Sequence, residues 1–286
     1  INFGFKSSSE ITQFNLEKSS FYRQIEELTN RLFNDPYDHI FIPAGRSLLA
    51  TLSDQLQNIH FQQLDYLMRA FLDRINNSKN SFSKSLSELI KEKQKLTQEK
   101  IDFDKVNKAK EIIGHILKAQ YLYDQQGEKL FFDKTRYTKL SYSSSGQQES
   151  VWILLLIFLI ILDKKDVFIV FEEPEAHLYP EAQKQMIDLM GLLKNTSQNQ
   201  ILITTHSPYI LSSINNLLYA YKVGKNTKLS KKVSQIIPQS LWLNVEGLQV
   251  FFVETGKVRS ILDPDLNLIK VEEIDSASKI INQTYD

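Results

Sequence analysis

The sequence predicts an α/β fold built on a parallel sheet. Two apolar strands, 167–171 and 201–205, flank a helical stretch near 181–194. A strand–helix–strand unit of that length is a parallel crossover. Both strands end abruptly in polar side chains, Glu172 and Glu173 after the first and His206 after the second. At 286 residues, with 42% hydrophobic and 24% charged, the chain suits one large domain or two small ones around a substantial core. Lys and Arg (34) balance Asp and Glu (34), so global charge makes no case for nucleic-acid or membrane binding. The absence of Cys excludes a disulfide scaffold and thiolate chemistry and fits a reducing, cytoplasmic setting.

Residues 1–60 mix short strands and turns, with a strand at 39–43 closed by Pro43, Ala44, Gly45 and Arg46. Arg46, in a loop after a strand, is a candidate for a phosphate or partner contact. No basic n-region with a cleavage site precedes residue 1, so no signal peptide is expected. Residues 61–126 read as a helical insertion. Phe82, Leu86, Leu89, Ile90 and Leu96 keep a helical spacing, as do Val106, Ala109, Ile112, Ile113, Ile116 and Leu117. Lysines outnumber acids between Lys79 and Lys110. That excess is either a solvated face or a basic arm for nucleic acid or a partner.

Residues 127–216 carry the chemistry. A strand at 129–132 leads to a Ser/Gly loop at 143–146 and an apolar helix at 151–162. The apolar run is 12 residues, below the ~20 of a membrane span, and reads as a buried core helix. Residues 217–286 are expected to hold strands at 218–223, 249–254 and 258–262, a Lys-rich turn region at 222–232 and a final helix at 272–284. His39, His60 and His115 lie apart from any carboxylate cluster in sequence and read as structural or surface residues. Asp263-Pro264-Asp265 reads as a turn.

Three features share one edge of the sheet. Ser143, Ser144, Ser145 and Gly146 open directly into a helix, where hydroxyls, free N–H groups and the helix dipole favour an anion; a Ser-rich helix cap is the plain alternative. Glu172 and Glu173 sit where α/β proteins bind ligands. One can hold Mg2+ while the next accepts a proton from water. Pro174 stops the strand there. His206 reaches the same edge and can donate to a phosphate oxygen.

Ser144, Ser145, Gly146 and Gln147 resemble the signature motif of the ATP-binding-cassette ATPases in their soluble branch (structural-maintenance, RecF and OLD-type proteins). Residues 168–173 resemble Walker B, with Glu172 in place of the usual metal-binding Asp and Glu173 matching the catalytic base. Residues 175–180 resemble the D-loop, and His206 the switch histidine. The resemblance is specific over about 140–210 and weaker at 42–46 and 246–286. It implies an ABC-type ATPase head with a mixed or parallel sheet core, a helical insertion and a small β-rich C-terminal part. It implies ATP and Mg2+ as cofactors and a head-to-head homodimer closing on ATP. No G-x-x-x-x-G-K-[ST] occurs in the sequence; in the family that loop precedes the insertion, so it is expected upstream of Ile1.

The helix after Gln147, the short insertion and the tail 256–286 look most like Septu-type (PtuA-like) anti-phage ATPases, also found beside retrons. That likeness implies an HNH-type nuclease partner, with DNA or a retron RNA/DNA complex as a further contact and no membrane. A RecF- or SMC-like repair ATPase is the alternative, although the insertion is short for a coiled-coil arm. A scaffold of the same fold that has lost ATPase activity is another, and a transporter subunit fits residues 173–177 less well.

Overall fold

A computed structural model describes residues 32, 35–47, 65–97 and 101–274. The chain divides into two compact units, Ile1–His39 and Ile40–Asp286. In the first, His39 Nε2 lies 3.0 Å from Asp35 Oδ2, so this histidine does have a carboxylate neighbour, four residues upstream. His60 lies outside the described residues.

Three strands form the central sheet, β1 (Asp38–Ile42, of which 40–42 fall in the second unit), β5 (Val167–Glu172) and β6 (Gln200–Thr204), in the order β1-β5-β6. β5 and β6 run parallel, pairing Phe168 with Gln200 through to Glu172 with Thr204. The register puts the ends of both strands level, so the residues that follow them emerge together. Ile40, Ile42, Val167, Ile169 and Phe171 are buried in the core. The sheet-core expectation is borne out.

The insertion comprises α1 (Tyr66–Lys79), a 3-10 turn at Asn80–Ser83, α2 (Leu86–Leu96) and α3 (Phe103–Leu117). Asp65 and Ser85 cap α1 and α2, and Ser85 forms a reciprocal capping box with Glu88. Val106, Ala109, Ile112, Ile113, Ile116 and Leu117 form the buried stripe of α3. The Lys-rich character of this region is largely absorbed by carboxylates. Lys79 lies 3.0 Å from Glu128, Lys84 2.9 Å from Glu92, Lys93 2.8 Å from Asp163 and Lys108 2.8 Å from Glu111. The solvated-face reading therefore fits better than a basic arm.

A meander follows, β2 (Gln120–Asp124), β3 (Gly127–Phe131) and β4 (Tyr137–Lys139), all antiparallel. Buried Glu128 on β3 accepts from Tyr121 Oη at 2.8 Å and Trp152 Nε1 at 3.0 Å. With Lys79 it fastens the insertion to the next helix, α4 (Ser145–Asp163). α4 is long and apolar enough to span a membrane by composition alone, but residues 151–158 are all buried in the core. α3 and α5 (Pro180–Lys194) pack on it.

The C-terminal region departs from expectation at 218–223, which lies within helix α6 (Pro208–Gly224) and not in a strand. Pro208 at the first turn, capped by Ser207, starts the helix upstream. Ile210, Leu211, Leu217 and Leu218 then share its buried face. The expected Lys-rich turn is also partly helical, since α7 (Thr227–Ile236) begins at the Asn226 cap. Two small antiparallel ladders follow, β7 (Phe251–Glu254) with β8 (Lys257–Ser260), and β9 (Leu262–Asp263) with β10 (Leu268–Ile269). Thr255 and Gly256 turn the first hairpin at positive φ. The Asp263 carboxylate accepts from the N–H groups of Asp265 and Leu266, the turn that the sequence suggested. Of the expected final helix, residues 271–273 form a 3-10 turn and 275–286 lie outside the described residues.

Candidate active site

The site forms where β5 and β6 end. Glu172 is the last residue of β5, and its Oε2 accepts from the Ala44 N–H at 3.1 Å. Its other oxygen takes no hydrogen bond among the described residues. Mg2+ bound with phosphates needs only one or two carboxylates, because phosphate and water complete its shell. A single carboxylate at the strand tip, half committed to the loop after β1, fits that demand. Among the described residues no group of three or more His, Asp or Glu gathers as a metal site, so protein ligands alone do not build one.

Glu173 is held in the left-handed region at φ 43°. A non-glycine residue keeps such a conformation only when its surroundings over-determine it. Here the Glu173 N–H donates to Thr204 O at 3.0 Å, while its carbonyl accepts from Arg46 Nη2 at 3.0 Å and the Ala176 N–H at 3.0 Å. The backbone is pinned on both sides, and the side chain turns out from the ladder. Its Oε1 lies 3.5 Å from His206 Nε2, and the imidazole is 90% exposed. The two polar side chains that end adjacent strands thus meet, and both reach solvent.

Glu175 is the residue that sequence reading underrated. Its side chain is buried, and Oε1 accepts from Thr205 Oγ1 at 2.5 Å and from the His206 N–H at 3.1 Å. Its Oε2 is buried with no hydrogen-bond partner among the described residues. Thr205 Oγ1 in turn accepts from the Ser207 N–H at 3.0 Å, and Ser207 Oγ donates to Gln183 Oε1 at 2.6 Å. This chain ties the turn that carries His206 to the turn that carries Glu173. Only its position two residues after Glu173 hinted at such a role.

Arg46 does not reach outward for a phosphate or partner. It is buried, with Nε 3.3 Å from Glu149 Oε2 and Nη1 donating to the carbonyls of Pro43 and Glu172. Burial pulls its pKa down from the ordinary arginine value, and Glu149 foremost among nearby carboxylates opposes that. Its work is to brace the carboxylate loop from behind.

Ser144, Ser145, Gly146 and Gln147 form the start of α4. Ser144 is its N-cap, in a capping box with Gln147, whose Nε2 also donates to Leu117 O at 2.7 Å. Ser144 and Gln147 thus have helix-capping and insertion-anchoring work inside the chain. The Ser145 hydroxyl is exposed and bonds to no described residue. Gly146 approaches the D-loop stretch closely: a Cβ there would lie 2.7 Å from the His177 carbonyl oxygen. His177 itself is exposed, at φ 59°. The signature-like turn and the loop after Glu173 therefore touch at Gly146 and His177.

A parallel crossover that brings two carboxylates and a histidine to its carboxyl edge has them where α/β proteins bind ligands. Residues 3–211 match the model of the AAA ATPase domain, and the chain belongs to that family. No curated protein matches it. A solved structure, an Smc head bound to the C-winged helix domain of ScpA, resembles it at 15% identity and a TM-score of 0.32, over 39% of this chain and 37% of that one. The chain thus spans little more than a third of that structure's length, and so slight a likeness bears no weight on function.

Proposed function

We propose that this chain hydrolyses ATP, with Glu173 as the base that orients and deprotonates the attacking water. The observation that carries this reading is the pinned, positive-φ backbone of Glu173, which holds its carboxylate beside His206. Glu172 is the residue that would hold Mg2+, an ion that supplies charge neutralisation at the phosphates when bound. His206 donates to a γ-phosphate oxygen, and Glu175 fixes the turn from which it does so. The open Ser145 hydroxyl and the first-turn N–H groups, with Ser144, Gly146 and Gln147 shaping that turn, meet the γ-phosphate of a nucleotide carried by a second copy. Two copies then close head to head around ATP.

In this reading residues 127–216 are the ATPase core, with 1–60 completing it, 61–126 inserted as helices and 217–286 appended. On the resemblance of its motifs we further propose a cytoplasmic role in anti-phage defence, in which ATP state controls an HNH-type nuclease and is set by DNA or a retron RNA/DNA complex. The test is steady-state phosphate release from MgATP by the full-length protein carrying the phosphate-binding loop, with sedimentation of the same sample. The reading expects hydrolysis and a nucleotide-dependent dimer. A monomer at saturating MgATP with no turnover contradicts it.

A further inference from the structure

The chain is neutral overall, yet its lysines are unevenly compensated. From 207 to 245 the sequence contains no Asp or Glu but has Lys222, Lys225, Lys228, Lys231 and Lys232. All five are exposed and none pairs with a carboxylate among the described residues. Lys222 Nζ donates to the Leu266 carbonyl at 3.0 Å and Lys225 Nζ lies 4.8 Å over the Tyr221 ring, contacts that leave both charges uncancelled. In the turn that Lys222 touches, Asp263 faces Lys270 at 3.9 Å and accepts from two backbone N–H groups, while exposed Asp265 forms no ion pair with these lysines. The contrast with the insertion, whose lysines mostly face carboxylates, marks this as a run of exposed lysines that no carboxylate among the described residues compensates.

Three of the five share one face of α7. Lys222 and Lys225 stand at the end of α6, and α7 carries the other three. At 100° per residue, Lys228, Lys231 and Lys232 fall within about a 100° arc of α7. The half-buried Ser230, Val233 and Ser234 lie away from that arc, and α7 packs on α6. Three partners carry negative charge in the required density: nucleic acid, an acidic protein surface and an anionic membrane. Protein interfaces favour Arg and aromatic anchors and are depleted in Lys, and this run is all lysine. A helix that lies in a membrane needs a broad apolar face with aromatic residues. Here only Leu229 and Ile236 are exposed apolar residues on α7. Flexible point charges without planar forks suit contacts to a phosphate backbone that carry no sequence information.

We propose that the end of α6 together with α7 docks the phosphodiester backbone of nucleic acid without reading its sequence. The proposal deepens the nucleic-acid contact of the proposed function by giving it a place on the chain, and its test without nucleotide succeeds or fails independently of ATP hydrolysis. The test is fluorescence anisotropy with a labelled random-sequence 30-base-pair DNA duplex, titrated at several NaCl concentrations without nucleotide. Replacing three phosphate-contacting lysines should flatten the slope of log affinity against log salt by about 3. The triple variant Lys228→Gln/Lys231→Gln/Lys232→Gln is expected to show that change, with its thermal unfolding unaltered because the side chains are exposed. Lys228→Arg/Lys231→Arg/Lys232→Arg should keep the wild-type slope. A control triple at exposed lysines elsewhere, Lys91→Gln/Lys95→Gln/Lys134→Gln, should also keep it. Equal slopes for the two Gln triples overturn the proposal. So does wild-type protein that ignores the duplex, whether or not it binds phosphatidylserine vesicles.

Discussion

Arg46 Nε lies 3.3 Å from Glu149 Oε2, and each side chain is 2% exposed. The pair joins the loop after β1 to the first turns of α4, and the same guanidinium holds the carbonyls of Glu172 and Glu173. Removing one partner of a buried ion pair strands the other charge, which costs about 3–5 kcal/mol. Arg46→Met should therefore destabilise the protein by that order in urea unfolding. The double variant Arg46→Met/Glu149→Leu leaves no orphan charge but still takes the carboxylate from the Arg46 and Ser47 N–H groups, so it should recover only part of the loss.

Gly146→Ala tests the contact between the signature-like turn and the D-loop stretch. The new Cβ would meet a backbone carbonyl, that of His177, at 2.7 Å, and backbone yields less readily than a flexible side chain. Overpacking of this kind costs about 1–3 kcal/mol. The expected outcome is a lower unfolding midpoint by calorimetry. Gly114→Ala is the control, since nothing lies within 4 Å of a Cβ there.

Glu175 acts as a positioning residue through its hold on Thr205 and on the His206 backbone. Glu175→Ala should release that turn and lower kcat for ATP by about 10–100-fold, the scale on which small misplacements act. KM for ATP should change little, because nothing that binds nucleotide is removed. Glu175→Gln retains an accepting oxygen and should restore most of the rate, which separates positioning from general base chemistry.

Asp188 gives a pH-dependent prediction. Burial raises its carboxyl pKa above the ordinary value, and the contact with Lys184 Nζ at 2.5 Å opposes this without cancelling it. A raised folded-state pKa means that the group adds stability below the unfolded value near pH ~3.9 and loses that contribution as pH rises through the folded value. Asp188→Asn, uncharged throughout, should match wild type in acid and exceed it at neutral pH. Unfolding midpoints of both proteins across that range check the sign.

Much of the sheet's carboxyl edge is legible in the sequence because apolar strands that stop at charged residues leave few choices for where those residues emerge. That places Glu172, Glu173 and His206 at the strand ends, and the parallel pairing of Phe171 with Ile203 sets those ends level. The alternating texture of Leu218, Tyr219, Ala220, Tyr221 and Lys222 hid a helix, because the cap that decides it lies at Ser207, outside that window. Arg46 looks free in the sequence because its partner Glu149 is 103 positions away. The close approach of Gly146 to His177 is likewise a long-range fact, which local turn chemistry alone does not disclose.

The central claim rests on Glu173, and phosphate release by Glu173→Gln is its most direct test. General-base removal should cut turnover by about 100- to 10,000-fold. Because amide and carboxylate have the same shape, the pinned backbone should survive, and MgATP should still drive dimerisation in the same preparation. Wild-type hydrolysis by Glu173→Gln would contradict the assignment.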